Sequence, residues 1–227
     1  EWPMISTVAM LVPMNKEEME LYQSVLRERR RIYASPTFHN QPTKAFVLEQ
    51  KLTAPLGMNF LTMQWDETKR STASKVQSIL QDIIYQRKTS PGCRIVVFTQ
   101  YSKLLHTLLS ALKQRGVRAL AGVHSCPPGD GVVILVNPFA RKTFALTGIR
   151  IVYFLEPYID PWIEIKALRR VQHQPRGEFQ IKKVVYKESV EMNVLEWQKE
   201  TIVGRQALQG GDTVGREGIR ILCQGLI

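Results

Sequence analysis

The chain has 227 residues, 44% of them apolar, which is enough for one core or two small ones and excludes wholesale disorder. No run of eighteen uninterrupted apolar residues occurs, so no membrane-spanning helix is expected and a membrane is left off the list of partners. Lys and Arg number 31 against 20 Asp and Glu, a formal charge of +11, and the excess is local: residues 61–120 hold ten basic and three acidic side chains. A concentrated basic stretch of this kind attracts phosphate backbones.

The opening, EWPMISTVAMLVP, has neither an initiating Met nor a basic n-region and reads as the start of an excised fragment, not as a signal peptide. Cys93, Cys126 and Cys223 are odd in number and far apart. They form neither a disulfide framework nor a zinc pattern, which points to a reducing compartment.

After the breaker Pro13-Met14-Asn15, apolar residues at Met19, Tyr22, Val25 and Leu26 follow a helical spacing, with Asn15 as N-cap and Glu17 and Glu18 in the first turn. Arg29-Arg30-Arg31 suits the last turn of that helix. SPTFHNQPTK, residues 35–44, reads as loop, and 45–53 as a short helix. The stretch from Ser71 puts Val76, Ile79, Leu80, Ile83 and Ile84 on one face, and Ser90-Pro91-Gly92 ends it. Strand and helix then alternate. Strands are predicted over 94–99, 117–121, 132–136, 149–155 and 179–186, and helices over 102–115, 160–172 and 189–208. Near-continuous apolar strands between amphipathic helices give an α/β fold with a mostly parallel sheet and helices on both faces, and ligands of such sheets sit at the carboxyl ends of the strands. One connection is short for a parallel crossover: about ten residues, GVHSCPPGDG, separate strands 117–121 and 132–136. Either that pair is antiparallel, or a segment of the parent protein is missing near Gly122–Gly131; the second is favoured.

The chain has no GxxxxGK(S/T) loop, no GxGxxG, HExxH, CxxC or GxSxG. His39, His106, His124 and His173 lack metal-ligand spacing. His124 and Cys126 share a Pro/Gly loop without the context of a nucleophile–base pair, and His106 sits in a leucine-rich helix as a structural residue. Taken alone, the chain offers no enzyme site and needs no cofactor.

Read in order, several segments resemble the second lobe of Swi/Snf-type chromatin-remodelling ATPases. ISTVAMLVPMNKEEMELYQSVL is similar to the strand and helix leading into that lobe, and VLEQKLTAPLG to its "L..LRqicnHP" segment. SKVQSILQDII is similar to "sgKl..l..lL", and CRIVVFTQYSKLLHTLLSALKQRGVR to "kvlvFsq....ldlle..L...g". LTGIRIVYFLEPYIDPWIEIKALRRVQHQPRGEFQIKKVVYKESVE is similar to "LtaA..Vil.dp.WNPa.e.QaidRahRiGQ...V.vyrli...tiEe". The likeness covers roughly residues 4–200. It implies a RecA-like fold, with 1–60 as a helical lead-in and linker, 61–208 as the helicase C-terminal lobe and 209–227 as an extension.

The resemblance also implies roles. Lobes of this kind supply arginine fingers to ATP bound against a preceding lobe. The first finger falls on Arg170 and the second on His173, a shorter and mostly neutral side chain that cannot present a guanidinium fork. The glycine-rich "aGGvGlN" turn falls on ARKTFA, residues 140–145, with no glycine. Gln100, Arg141, Lys142 and Arg169 become candidates for contact with the duplex DNA backbone, while Tyr158 and Trp162 are read as packing aromatics. The expected function is a degenerate, non-catalytic DNA-binding or protein-binding scaffold in a nuclear chromatin complex, with its other subunits as partners. The alternative is the second half of an active ATP-dependent DNA translocase, in which ATP and Mg2+ enter with a Walker A lobe.

Overall fold

The computed structural model describes residues 5–33, 58–59, 64–65, 73–121, 129–139, 145–158, 160–173 and 178–207. The expected loop at 35–44, the helix at 45–53 and the 209–227 extension lie outside these residues.

Seven strands form one sheet in which every pairing is parallel, as the sequence leads one to expect of a RecA-like α/β fold. They are β1 (Ile5–Val12), β4 (Arg94–Phe98), β5 (Ala119–Ala121), β6 (Val133–Val136), β7 (Leu146–Phe154), β8 (Val171–His173) and β9 (Phe179–Tyr186). The order is β1-β9-β7-β4-β6-β5, with β8 against β7. Two short strands, β2 (Met58–Asn59) and β3 (Gln64–Trp65), pair separately and antiparallel. The helices are α1 (Lys16–Tyr33), α2 (Ser74–Thr89), α3 (Ser102–Gln114), α4 (Pro161–Leu168) and α5 (Val190–Ala207).

Alternation along the strands builds two cores. Ile95, Val97, Val133, Leu135, Ile151, Tyr153 and Val184 face α1, α2, α3 and α5. Val96, Phe98, Ile134, Val152, Phe154 and Ile181 face the other way, toward Ala167, Ile163 and Leu168 of α4. Burial on both faces is why these strands read as continuous β-branched runs.

Residues 5–33, assigned from sequence to a lead-in, are part of this sheet and its cover: β1 pairs with β9 along its whole length, Ile5 opposite Phe179 and Val12 opposite Tyr186. The α1 helix also caps two neighbours. Glu18 closes a capping box with Asn15, each backbone N–H meeting the other side chain at 2.8 and 2.9 Å. Its other oxygen accepts from Ser74 N at 2.7 Å, serving the start of α2, where Ala73 offers no side-chain cap. Tyr22 Oη accepts from Val190 N at 2.9 Å at the start of α5.

The β5–β6 pair is parallel, Ala119 opposite Val133, which removes the antiparallel alternative; residues 122–128, where a missing segment is expected, lie outside the described residues. One expectation is corrected. The helix predicted over 160–172 ends at Leu168. Arg170 C=O accepts from Leu146 N at 2.7 Å, and β-branched Val171 then joins β7, so pairing captures the chain before another helical turn forms.

Candidate functional site

At the carboxyl end of the sheet, β4 runs into Thr99 and Gln100, β6 into Asn137, and β7 into Leu155, Glu156, Pro157 and Tyr158. Gln100 carries out a supporting task there. Its backbone N–H donates to Glu156 Oε1 at 2.6 Å, its carbonyl accepts from Asn137 Nδ2 at 3.2 Å, and its amide donates to Tyr101 Oη at 3.3 Å. Glu156 is wholly buried and also accepts from Tyr158 Oη at 3.0 Å, while its Oε2 has no hydrogen-bond partner among the described residues. Burial outweighs these bonds and pushes its pKa up to about 7.

A second carboxylate, Glu164, holds α4 in place. It pairs with Lys183 at 2.6 Å and accepts from Gln198 Nε2 at 2.7 Å and from Tyr158 N at 3.2 Å. Gln198 in turn donates to Tyr158 C=O at 2.6 Å and accepts from Lys183 at 2.7 Å. One network therefore ties α4 to β9, α5 and the end of β7. Asp160 starts the helix by accepting from Trp162 N at 3.0 Å, with Pro161 in the first turn, where a missing N–H costs nothing.

The clamped helix delivers Arg169 and Arg170 to the amino end of the sheet, beside the first residue of β7. Arg169 is exposed; Arg170 is partly buried, and that burial lowers its pKa from the usual guanidinium value. His173 lies on β8 opposite Ile149, so it follows Arg170 through a turn into a strand and does not sit one helical turn beyond it. Its side chain lies outside the described residues, as do Arg141 and Lys142. Gln100 is at the opposite end: β7 separates the two groups by roughly 25 Å at ~3.3 Å per residue. The sequence-derived candidates thus form two sets, Gln100 at one end and Arg169 with Arg170 at the other. Tyr158 is buried and Trp162 partly so, as packing residues are.

The sequence reading missed a buried ion pair under the sheet. Lys75, with no exposed surface, lies 2.6 Å from Glu191 and donates to Leu155 C=O at 3.0 Å, its ammonium 4.6 Å from the centre of the Tyr186 ring. Burial raises the Glu191 pKa, opposed by Lys75 and by the 2.6 Å bond from Tyr186 N. Both residues lie within segments that carry the Swi/Snf resemblance, and the spacing 75–79–83 puts Lys75 on the apolar face of α2. That placement was the available signal.

Among the described residues no cluster of His, Cys, Asp or Glu could hold a metal ion, and no helix is long and apolar enough to cross a membrane. The buried carboxylates serve structure. Just past the clamped helix, Arg169 is exposed while the guanidinium nitrogens of Arg170 are buried.

No protein-family model matches the chain. A curated relative, a putative SWI/SNF-related matrix-associated actin-dependent regulator of chromatin subfamily A member 3-like 1 from Arabidopsis thaliana, is 29% identical over 152 residues. That alignment takes in 59% of this chain and 17% of the relative, so the chain spans a small part of that protein. Among solved structures, the C-terminal part of the Fun30 ATPase domain superposes with TM-score 0.69 at 11% identity, covering 100% of this chain and 99% of that one. The Sulfolobus solfataricus SWI2/SNF2 ATPase core in complex with dsDNA gives TM-score 0.66 at 12% identity, covering 99% of this chain and 49% of that one. A structure of fission yeast Ccq1 and Tpz1 gives TM-score 0.56 at 11% identity, covering 97% of this chain and 82% of that one.

Proposed function

We propose that the chain is a second RecA-like lobe of the Swi/Snf type, degenerate and non-catalytic, serving as a DNA-binding or protein-binding scaffold in a nuclear chromatin complex. The observation that carries the proposal is His173 where the family has its second arginine finger. A finger acts by holding a fixed positive fork against the charge that develops on the transferred phosphoryl group. Histidine is shorter and mostly neutral at pH 7, so Arg170 alone remains to do this. The absence of glycine from residues 140–145 supports the same reading, because side chains at every position obstruct close approach of backbone to a ligand. ATP and Mg2+ would be held chiefly by a preceding Walker A lobe, which this sequence does not contain. Duplex DNA as a partner is supported by the charge of +11 and by the likeness to a SWI2/SNF2 core solved with dsDNA.

A second reading, the arginine-supplying half of an active translocase, is favoured by one observation: Arg170 is kept, and it follows a helix clamped by Glu164, Lys183 and Gln198. Steady-state ATPase of the full-length protein with DNA separates the two. On the scaffold reading, wild type, Arg170→Ala and His173→Arg all sit at background. Turnover of about one per second or faster, abolished by Arg170→Ala, overturns it.

A further inference from the structure

The basic excess of residues 61–120 has a location in the fold. Six of its ten basic side chains collect at the amino end of the sheet: Arg87 and Lys88 in the last turn of α2, Arg94 at the start of β4, Lys113 and Arg115 at the end of α3, and Arg118 just before β5. Two of them, Arg87 and Arg118, lie against a pair of turns, 90–93 and 129–131. Arg87 donates to Cys93 C=O at 3.4 Å and to Pro91 C=O. A Cβ built on Gly131 would meet the Arg87 guanidinium, and one on Gly129 would lie 3.1 Å from that of Arg118. Arg150, from β7, joins them through a 3.0 Å bond to Ser90 Oγ.

The hydrogen bonds of Arg87, Arg115 and Arg150 run to neutral oxygens, so they orient these side chains without neutralising them. Between β5 and β7, Asp130 is the one carboxylate at this end among the described residues; Asp82, further up α2, is held by Tyr153 and Lys182 at 2.8 and 2.7 Å. At the carboxyl end, by contrast, exposed Lys16, Lys103 and Lys187 are balanced by exposed Glu17, Glu20, Asp160 and Glu188.

We infer that this amino-end rim, across β5, β6, β4 and β7, is a second surface for the phosphodiester backbone of duplex DNA. Four strands at ~4.8 Å spacing span about 14 Å, which matches the axial rise over about five successive phosphates of one strand at ~3.4 Å per step. Charge chemistry selects nucleic acid over an acidic protein. A protein interface of this size would need an apolar centre. Of the exposed large apolar residues described, Val8 and Leu11 are on β1 and Phe139 follows β6, leaving only Tyr85, a turn before Lys88. The inference rests on the duplex-DNA partner proposed above and differs in where the contact is made: of the sequence-derived DNA residues with described positions, Arg169 is at this end and Gln100 is not.

The test is fluorescence anisotropy of a labelled duplex of about 20 base pairs with the full chain, titrated between about 50 and 200 mM salt. Two variants remove equal charge from exposed positions, Lys88→Ala/Lys113→Ala/Arg115→Ala at the amino end and Lys16→Ala/Lys103→Ala/Lys187→Ala at the carboxyl end. Circular dichroism confirms that each folds. The amino-end variant should lose about 2.7 from the salt slope (about 0.9 per phosphate contact) and about tenfold or more in affinity, with the carboxyl-end variant within about threefold of wild type. Equal losses in both variants, or an amino-end variant that binds as wild type does, overturn the surface while leaving DNA as a partner. Wild type that binds poly-glutamate and no duplex overturns the surface and the DNA reading together.

Discussion

The ammonium of Lys75 lies 2.6 Å from the carboxylate of Glu191, with both side chains sealed from solvent. The pair joins the first turn of α2 to the first turn of α5, 116 positions apart, and Leu155 C=O and Tyr186 N each give one partner a further hydrogen bond. Cutting one side of such a pair leaves a buried charge uncompensated, at a cost of about 3–5 kcal/mol. Lys75→Met and Glu191→Leu should each lower unfolding stability by that amount in urea titrations, and the double variant by clearly less than the sum. Additive losses would show that the two charges do not interact.

Glu156 gives the fold a pH dependence with a defined sign. In the folded chain its carboxyl keeps its proton up to about pH 7, against an ordinary value of 4.5 for the unfolded chain. Between those values the native state binds the extra proton, so this group makes stability fall as pH rises through the window. Glu156→Gln keeps an acceptor for Gln100 N and Tyr158 Oη and removes the titration. The variant should be flatter than wild type from pH 5 to 8 in thermal melts and more stable at pH 8, by up to roughly 3 kcal/mol. An unchanged slope would mean that Glu156 is ionised throughout.

Removing Glu18 uncaps two helices at once, because Asn15 N and Ser74 N both donate to it, and it also frees Tyr186 Oη from its 3.1 Å bond. Glu18→Ala should cost about 2–4 kcal/mol in chemical denaturation, and Glu18→Gln distinctly less. Equal losses would make negative charge at the α2 start, not hydrogen bonding, the dominant contribution.

Gly131 has φ of +65°, and a Cβ there would lie 2.5 Å from Pro91 C=O. Gly131→Ala should therefore destabilise by about 1–3 kcal/mol in urea titrations, through backbone strain and a displaced 90–93 turn. At Gly116, with φ of +71° and nothing within 4 Å of a Cβ, alanine should cost less, since only the backbone conformation is penalised.

The strands and most helices were legible because burial on both faces writes itself as unbroken runs such as RIVVF and VILV. Helix α4 was overextended because Arg169, Arg170 and Gln172 are good helix formers, and only pairing with β7, remote in sequence, decides that Val171 begins a strand. Lys75 and Glu156 were passed over for a related reason. A charged residue on an apolar face becomes meaningful once its partner is known, and Glu191 and Gln100 are 116 and 56 positions away. Arg170 emerged through resemblance alone, since nothing in its local pattern distinguishes it from Arg169.

The pairing of β1 with β9 has a consequence for synthesis. Ile5 leaves the ribosome among the first residues of this segment, while its partner Phe179 follows 174 positions later. At about 5–20 residues per second β1 waits roughly 10–35 s for the strand it will pair with. During that interval α1 lacks two of its contacts as well, because Glu18 and Tyr22 close on Tyr186 and Val190 from the same late stretch. Strand β1 thus finds its partner late, and a nascent chain stalled before β9 would expose an uncharged strand, ISTVAMLV, to whatever chaperone or neighbouring chain is at hand.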